Sequence, residues 1–153
     1  WMEIPQNCQD ALVRGIQQIG SANVDLKPSH SFAHGARINS AANTITVFLC
    51  KELSHTVLKD CETSKRAVFY STLFSHEAYQ VKGNVTKIEP LSEEDRYASQ
   101  EYCEKFIQAT TEMGEPPENT RKIFGRAADT AITIELEQIF DQTPGPNAGK
   151  PIS

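Results

Sequence analysis

Three stretches of the 153-residue chain combine residue types that can grip an anion or a metal. The first is DQTPGPNAGK, Asp141 to Lys150, a glycine-rich run ending in Gly-Lys. A phosphate-cradling loop of that look needs four residues between its first glycine and the Gly-Lys pair. Ser or Thr must follow, and then a helix whose N-terminus faces the phosphate. Only three residues separate Gly145 from Gly149, and Pro151 follows Lys150. The run is therefore expected to be a surface loop. The second stretch is Ser54-His55-Thr56, at the head of an expected helix. An anion there meets unpaired backbone N–H groups and the positive end of the helix dipole. The Thr56 hydroxyl and the His55 imidazole add donors, and Lys51 lies just upstream. The alternative is an ordinary surface helix with Ser54 as N-cap. The third is His30 and His34. On a helix this spacing shares one face and suits a metal. PSHSFAHGAR, with Pro28 and Gly35, instead reads as extended, and four residues of strand span about 13 Å. No metal site is expected.

Other catalytic patterns are missing. No Gly-x-Ser-x-Gly elbow frames a nucleophile. Cys8, Cys50, Cys61 and Cys103 form no Cys-x-x-Cys pair, so free thiols in a reducing cytoplasm are expected rather than zinc or disulfides. The net charge of −5, without a block of Lys or Arg, argues against a nucleic-acid partner. No apolar run approaches the roughly 20 residues of a membrane span, and the N-terminus lacks the basic and apolar regions of a signal peptide. Trp1 precedes Met2 and is expected to be an appended residue, leaving a single domain over residues 2–153.

The elements that must position these residues follow from periodicity. Pro5 to Arg14 predicts a short helix with Ala11, Leu12 and Ile16 as its sparse apolar stripe. Ile16 to Leu26 is a weak strand, broken near Gly20, and Ser29 to Ile38 is a second strand. Asn39 to Asn43 is a hairpin turn leading into TITVFL, Thr44 to Leu49, where Ile45, Val47 and Leu49 face one way and Thr44, Thr46 and Phe48 the other. Ser54 to Asp60 predicts a short helix. Arg66 to Leu73 is a strand rich in β-branched and aromatic residues. Glu77 to Ile88 alternates from Tyr79 onward, with Gly83 marking a bulge or a close backbone approach. Pro90 ends that strand. Ser92 and Asp95 then open a helix to about Thr111, with Tyr102, Cys103, Phe106 and Ile107 on its buried face. GEPPEN breaks it, a short helix follows at Arg121 to Phe124, and Thr130 to Phe140 is the closing strand. Sequential strands with tight turns favour an antiparallel sheet curled into a barrel.

Three of these segments, in this order, resemble the FMN-binding split-barrel family, which includes pyridoxamine 5′-phosphate oxidase. They are SHT with the following VLKDCETSKRAVF, the strand segment YQVKG from Tyr79 to Gly83, and the last strand with its DQTPGPNAGK ending. The likeness spans roughly residues 5 to 150. It implies a mainly β (α+β) chain, a six-stranded antiparallel split β-barrel with flanking helices. It also implies a homodimer with FMN at the subunit interface. At least one of Ser54, His55 and Thr56 would hold the phosphate, with Lys51 within reach of it. Ser29 to Phe32, including His30, Ser31 and Phe32, would run beside the isoalloxazine ring, and Gln80 would contact it. The tail would lie near a flavin site or face solvent as a stiff Pro-Gly segment.

Two departures bear on activity. The family's oxidases carry an Arg and a Lys on an early barrel strand, and here Ser31 stands where the Arg is expected. They also end in an Arg-Leu-x-Pro-like segment, whereas this chain has PGPNAGKPIS. The resemblance thus implies an FMN-dependent oxidoreductase of an unknown small molecule rather than an efficient vitamer oxidase. A non-enzymatic FMN-binding or electron-transfer protein and a haem-binding barrel are the alternatives.

Overall fold

The computed structural model describes residues 2–152. Trp1 and Ser153 lie outside the described residues, and with Trp1 the expectation that it is an appended residue. In chain order the elements are α1 (Gln6–Arg14), β1 (Ile16–Ala22), β2 (Pro28–Phe32), β3 (Ala36–Asn39), β4 (Thr44–Leu49), α2 (His55–Ser64), β5 (Arg66–Thr72), β6 (Ala78–Pro90), α3 (Glu93–Glu112), α4 (Pro117–Phe124) and β7 (Thr130–Asp141). All strand pairs are antiparallel, in the order β2-β1-β5-β6-β7-β4-β3.

The expected six strands are seven, because Ser29 to Ile38 is not one strand. It breaks at Ala33-His34-Gly35, and its two halves pair at opposite ends of the sheet. The break is stitched on both sides. Ala33 N–H donates to Gln17 O of β1 at 3.0 Å, His34 N–H to Phe48 O of β4 at 2.7 Å, and Phe48 N–H to Gly35 O at 2.9 Å. The sheet closes on itself at this kink. Gly35 makes the turn at φ +114°, a region that side chains with a Cβ rarely enter.

The inner face carries Ile19, Ile45, Val47, Phe69, Val81, Ile134 and Ile139, packed with Cys8, Ala11 and Leu12 of α1 and Val57, Leu58 and Cys61 of α2. Burying an aliphatic or aromatic side chain fully is worth about 1.5–3 kcal/mol, so this cluster dominates the stability. The outer face of β4 departs from the expected alternation. Thr46 and Phe48 are buried too, because Phe48 packs under Leu91, Ala128 and Ala131. β1 runs through Gly20 unbroken, pairing it with His30 and Val68. Gly83 does both things expected of it. The β6–β7 register shifts between Lys82 and Gly83, and a Cβ on Gly83 would collide with the Glu135 carbonyl.

Helix α3 starts as its sequence predicts, with Asp95 N–H donating to Ser92 Oγ at 3.1 Å. Helix α4 begins earlier than expected, at Pro117, since proline suits the first helical position. Cys103, Ile107 and Phe124 form a small separate core between these two helices. The tail is pinned rather than free. Asp141 N–H donates to Lys150 O, Gly149 N–H to Asp141 O, and Ile152 N–H to Ile139 O, so residues 142–149 form a loop closed at its base and exposed over 144–149. Among the described residues no helix is long and apolar enough to cross a membrane.

Candidate functional site

Two of the residues singled out by sequence meet directly. Ser31 Oγ and Ser54 Oγ lie 2.6 Å apart, both buried, and tie β2 to the start of α2. This corrects the expected role of Ser54. It occupies the N-cap position, yet its side chain caps nothing, because its hydroxyl is turned to Ser31. A helix leaves its first N–H groups without intrahelical partners. Among the described residues no side chain takes them up, and the first turn of α2 opens to solvent at His55 and Thr56.

Lys51 is exposed in the turn before α2, where its backbone N–H is held by Asp129 Oδ1 at 2.9 Å. Among the described residues, the side chains of Lys51, His55 and Thr56 form no hydrogen bond or ion pair with other protein groups. One ammonium, one imidazole, one hydroxyl and a free helix start thus share a single turn of chain, a donor set that suits a phosphate dianion.

His30, Phe32 and Gln80 lie elsewhere. Strand register places Phe32 opposite Gln18, Gln18 opposite Tyr70, Tyr70 opposite Gln80, and Gln80 opposite Phe140. These residues make one row across the outer face of the barrel. Phe32 and Gln80 are three strand spacings apart, about 14 Å along the sheet. His30 is exposed two residues along from Phe32 on the same face, and Lys82 Nζ stands 5.1 Å from the Phe140 ring centre. Ser31 points to the opposite face, toward α2. The eight sequence candidates therefore divide into a phosphate-type cluster (Ser31, Ser54, His55, Thr56, Lys51) and an outer-face row (His30, Phe32, Gln80).

His34 and Phe124 were not singled out for this neighbourhood. Phe124 of α4 sits edge-on to Phe32 at 5.7 Å and tilted against His34 at 5.4 Å, with Phe106 behind it at 4.2 Å. His34 is 1% exposed, and its Nδ1 has no hydrogen-bond partner among the described residues. Burial lowers its pKa from the ordinary 6.5, partly opposed by a hydrogen bond to the Arg126 backbone and by Asp129. Ser99 Oγ of α3 donates to the His34 carbonyl at 2.5 Å. Tyr102 OH donates to Gly15 O at 2.9 Å, and Arg37 Nε to Asp95 Oδ1 at 2.7 Å. These contacts clamp the α3–α4 hairpin onto the barrel at its closing kink. The only local signal in the sequence was the Ala-His-Gly triplet, which marks a bend without saying what covers it.

Among the cavities lined by α3, two lie against the barrel or the segment that follows α4. One, of about 500 Å³, runs along Gly15, Leu73, Phe74, Tyr102, Lys105 and Phe106. The other, of about 330 Å³, lies between α3 and residues 124–128. Neither is lined by any of the eight sequence candidates. All four cysteines are free and buried. Burial pushes the Cys8 and Cys103 thiols up to about 12 and Cys61 to about 11, which keeps them protonated at neutral pH.

No protein-family model matches the chain, and no curated protein matches it in sequence. Solved structures do match its fold. HupZ of group A Streptococcus aligns with a TM-score of 0.60 at 13% identity, over 96% of this chain and all of that one. An FMN-binding protein from Syntrophomonas wolfei aligns with a TM-score of 0.56 at 8% identity, over 95% and 83% of the two chains. A pyridoxamine 5′-phosphate oxidase-related, FMN-binding protein from Nostoc punctiforme aligns with a TM-score of 0.50 at 12% identity, over 88% and 77%. The class is thus an α+β split barrel, the fold of the pyridoxamine 5′-phosphate oxidase-like proteins.

Proposed function

We propose that this protein binds FMN and acts as an oxidoreductase on a small molecule, working as a homodimer with the flavin between the subunits. The observation that carries the reading is the uncapped start of α2. Ser54 is engaged by Ser31, while the open first turn, Thr56, His55 and Lys51 offer donors to a phosphate. A charge-assisted hydrogen bond of that kind is worth about 1.5–3 kcal/mol. The outer-face row would supply the ring's surroundings. Phe32 offers an apolar surface, and the Gln80 amide can donate and accept at a polar edge. That face is open in the single chain, with Phe32 36% exposed, and a second copy laid against it would exclude water from the ring. The fold shared with FMN-binding proteins supports the same reading.

When bound, the flavin would supply the hydride chemistry, and the protein's part is to hold and orient it. Lys51 would offset the phosphate's charge, and His55 and Thr56 would add hydrogen-bond donors that anchor one end. The Ser31–Ser54 hydroxyl pair would keep β2 in register with that anchor. None of these residues is assigned a proton-transfer role.

The test compares FMN with riboflavin, which lacks the phosphate. Replacing His55 and Thr56 together by Ala is expected to weaken FMN by about tenfold to a hundredfold while leaving riboflavin nearly unchanged. Equal weakening of both ligands would refute the phosphate assignment. A purified protein with a haem spectrum in place of a flavin spectrum would refute the cofactor. A monomer by light scattering at micromolar concentration would remove the interfacial site.

A further inference from the structure

We infer that the 330 Å³ cavity between α3 and residues 124–128 is a binding site for a small oxyanion, a carboxylate or a phosphate ester, distinct from the cofactor cluster at α2. Three observations converge on it. Arg96, Gln100 and Cys103 project from α3 at helical spacing and line one wall, while Arg126 lines the other. Among the described residues Arg96 has no carboxylate within ion-pair distance, so its guanidinium is a free bidentate donor. The backbone N–H groups of Ala127 and Ala128, on the same wall, donate to no protein acceptor among the described residues, although Ala128 is buried. A buried N–H without a partner is rare, and consecutive free amides beside guanidinium groups make an anion-holding concavity.

The negative groups nearby are already engaged. Glu104, on the rim, is held by Arg121 at 3.2 Å, and Cys103 stays a neutral thiol. Arg126 pairs with Glu52 at 2.6 Å, a contact whose carboxylate side chain is 74% exposed, so a ligand would compete with a surface pair of small worth. The walls also include Phe124 and Ala128, which gives an apolar surface for a small organic body. Phe124 is the ring that packs on His34 and Phe32, so occupancy would be felt at the barrel kink.

The experiment follows backbone amides of the ¹⁵N-labelled protein by NMR. Sodium phosphate and sodium acetate are titrated separately against sodium chloride at matched ionic strength. Saturable shifts at Gly125, Ala127 and Ala128 with phosphate or acetate, but not chloride, are the expected result. Phosphate saturating first indicates a phosphate ester, and acetate first a carboxylic acid. Arg96→Gln and Arg126→Gln should each weaken the stronger ligand by about tenfold. Glu52→Gln, which frees Arg126, should tighten it. The same spectra report whether each variant is folded, and both arginines are exposed enough to replace. Absence of saturation, equal shifts with chloride, undiminished binding in both arginine variants, or shifts confined to His55 and Thr56 would each overturn the assignment. Because no flavin is added, failure here leaves the FMN reading standing, and the reverse also holds.

Discussion

Gly35→Ala tests the argument that the barrel is closed at the Ala33–Gly35 kink. Two costs add. The residue sits at φ +114°, and holding a side-chain-bearing residue in such a region costs about 1–3 kcal/mol. The new Cβ would lie 3.0 Å from Phe48 Cδ2 and 3.5 Å from Ser99 Cα. Phe48 is 1% exposed and walled in by Leu91, Ala128 and Ala131, so it has little room to give. Overpacking of that kind costs about 1–3 kcal/mol. The sum is about 2–6 kcal/mol. For a chain of this size, at about 2–4 °C per kcal/mol, it lowers Tm by about 4–24 °C. Urea denaturation followed by circular dichroism measures the loss. Gly20→Ala is the internal control, since it has no positive φ and the nearest atom to its new Cβ is Ser29 O at 3.4 Å. That variant is expected within about 0.5 kcal/mol of the parent, as for a surface change away from special features. If Gly35→Ala is as stable as Gly20→Ala, the kink does not hold the barrel closed in the way described.

Stability should fall as the pH drops below about 6.5, because the unfolded chain protonates His34 near its ordinary value while the folded chain, with a lowered pKa, resists. His34→Gln should flatten that part of the pH–stability curve, and an unchanged slope would refute the contribution. Ser54→Ala should destabilise by about 1 kcal/mol, the low end for an orphaned buried hydroxyl, since Ser31 Oγ keeps a 3.2 Å bond to Phe32 O. Denaturation of the variant checks it, and a neutral result would mean the Ser31–Ser54 pair holds nothing. The FMN-loaded protein should turn over pyridoxamine 5′-phosphate orders of magnitude more slowly than an authentic oxidase, because misplacing a substrate by about 1 Å can cost 10²-fold. Oxygen-dependent formation of pyridoxal phosphate is the assay, and comparable turnover would show that other residues replace the missing early-strand Arg and the missing Arg-Leu-x-Pro-like ending.

Much of the fold was legible because it rests on local rules. The alternation of Ile132, Ile134 and Leu136 with Thr133, Glu135 and Glu137 reports a strand wherever that strand ends up. Ser92 and Asp95 start α3 by a contact three residues long, and Gly83 marks a backbone crowded by its neighbour. The likeness to the split-barrel family carried the architecture further than periodicity alone. The candidate site was legible only in part. Ser54, His55 and Thr56 were recognisable as a helix start, but the partner of Ser54 was not.

What escaped the sequence depends on which strands meet. Residues 29–38 read as one strand, since nothing within that stretch says that its halves pair with β1 on one side and β4 on the other. The Ser31–Ser54 contact spans 23 residues, the packing of Phe124 on His34 spans 90, and the cavity between Arg96 and Arg126 exists only because α3 and α4 fold back together. Outside the Ala33–Gly35 kink, the amino-acid sequence by itself determined most of where the chain is helix, strand or turn, because those choices are made largely by sterics and hydrogen bonds between near neighbours. Only the tertiary structure decided that the Ser54 hydroxyl turns from its helix to Ser31, which histidine is buried and which arginines face one cavity, because those outcomes depend on residues brought together by closure of the barrel.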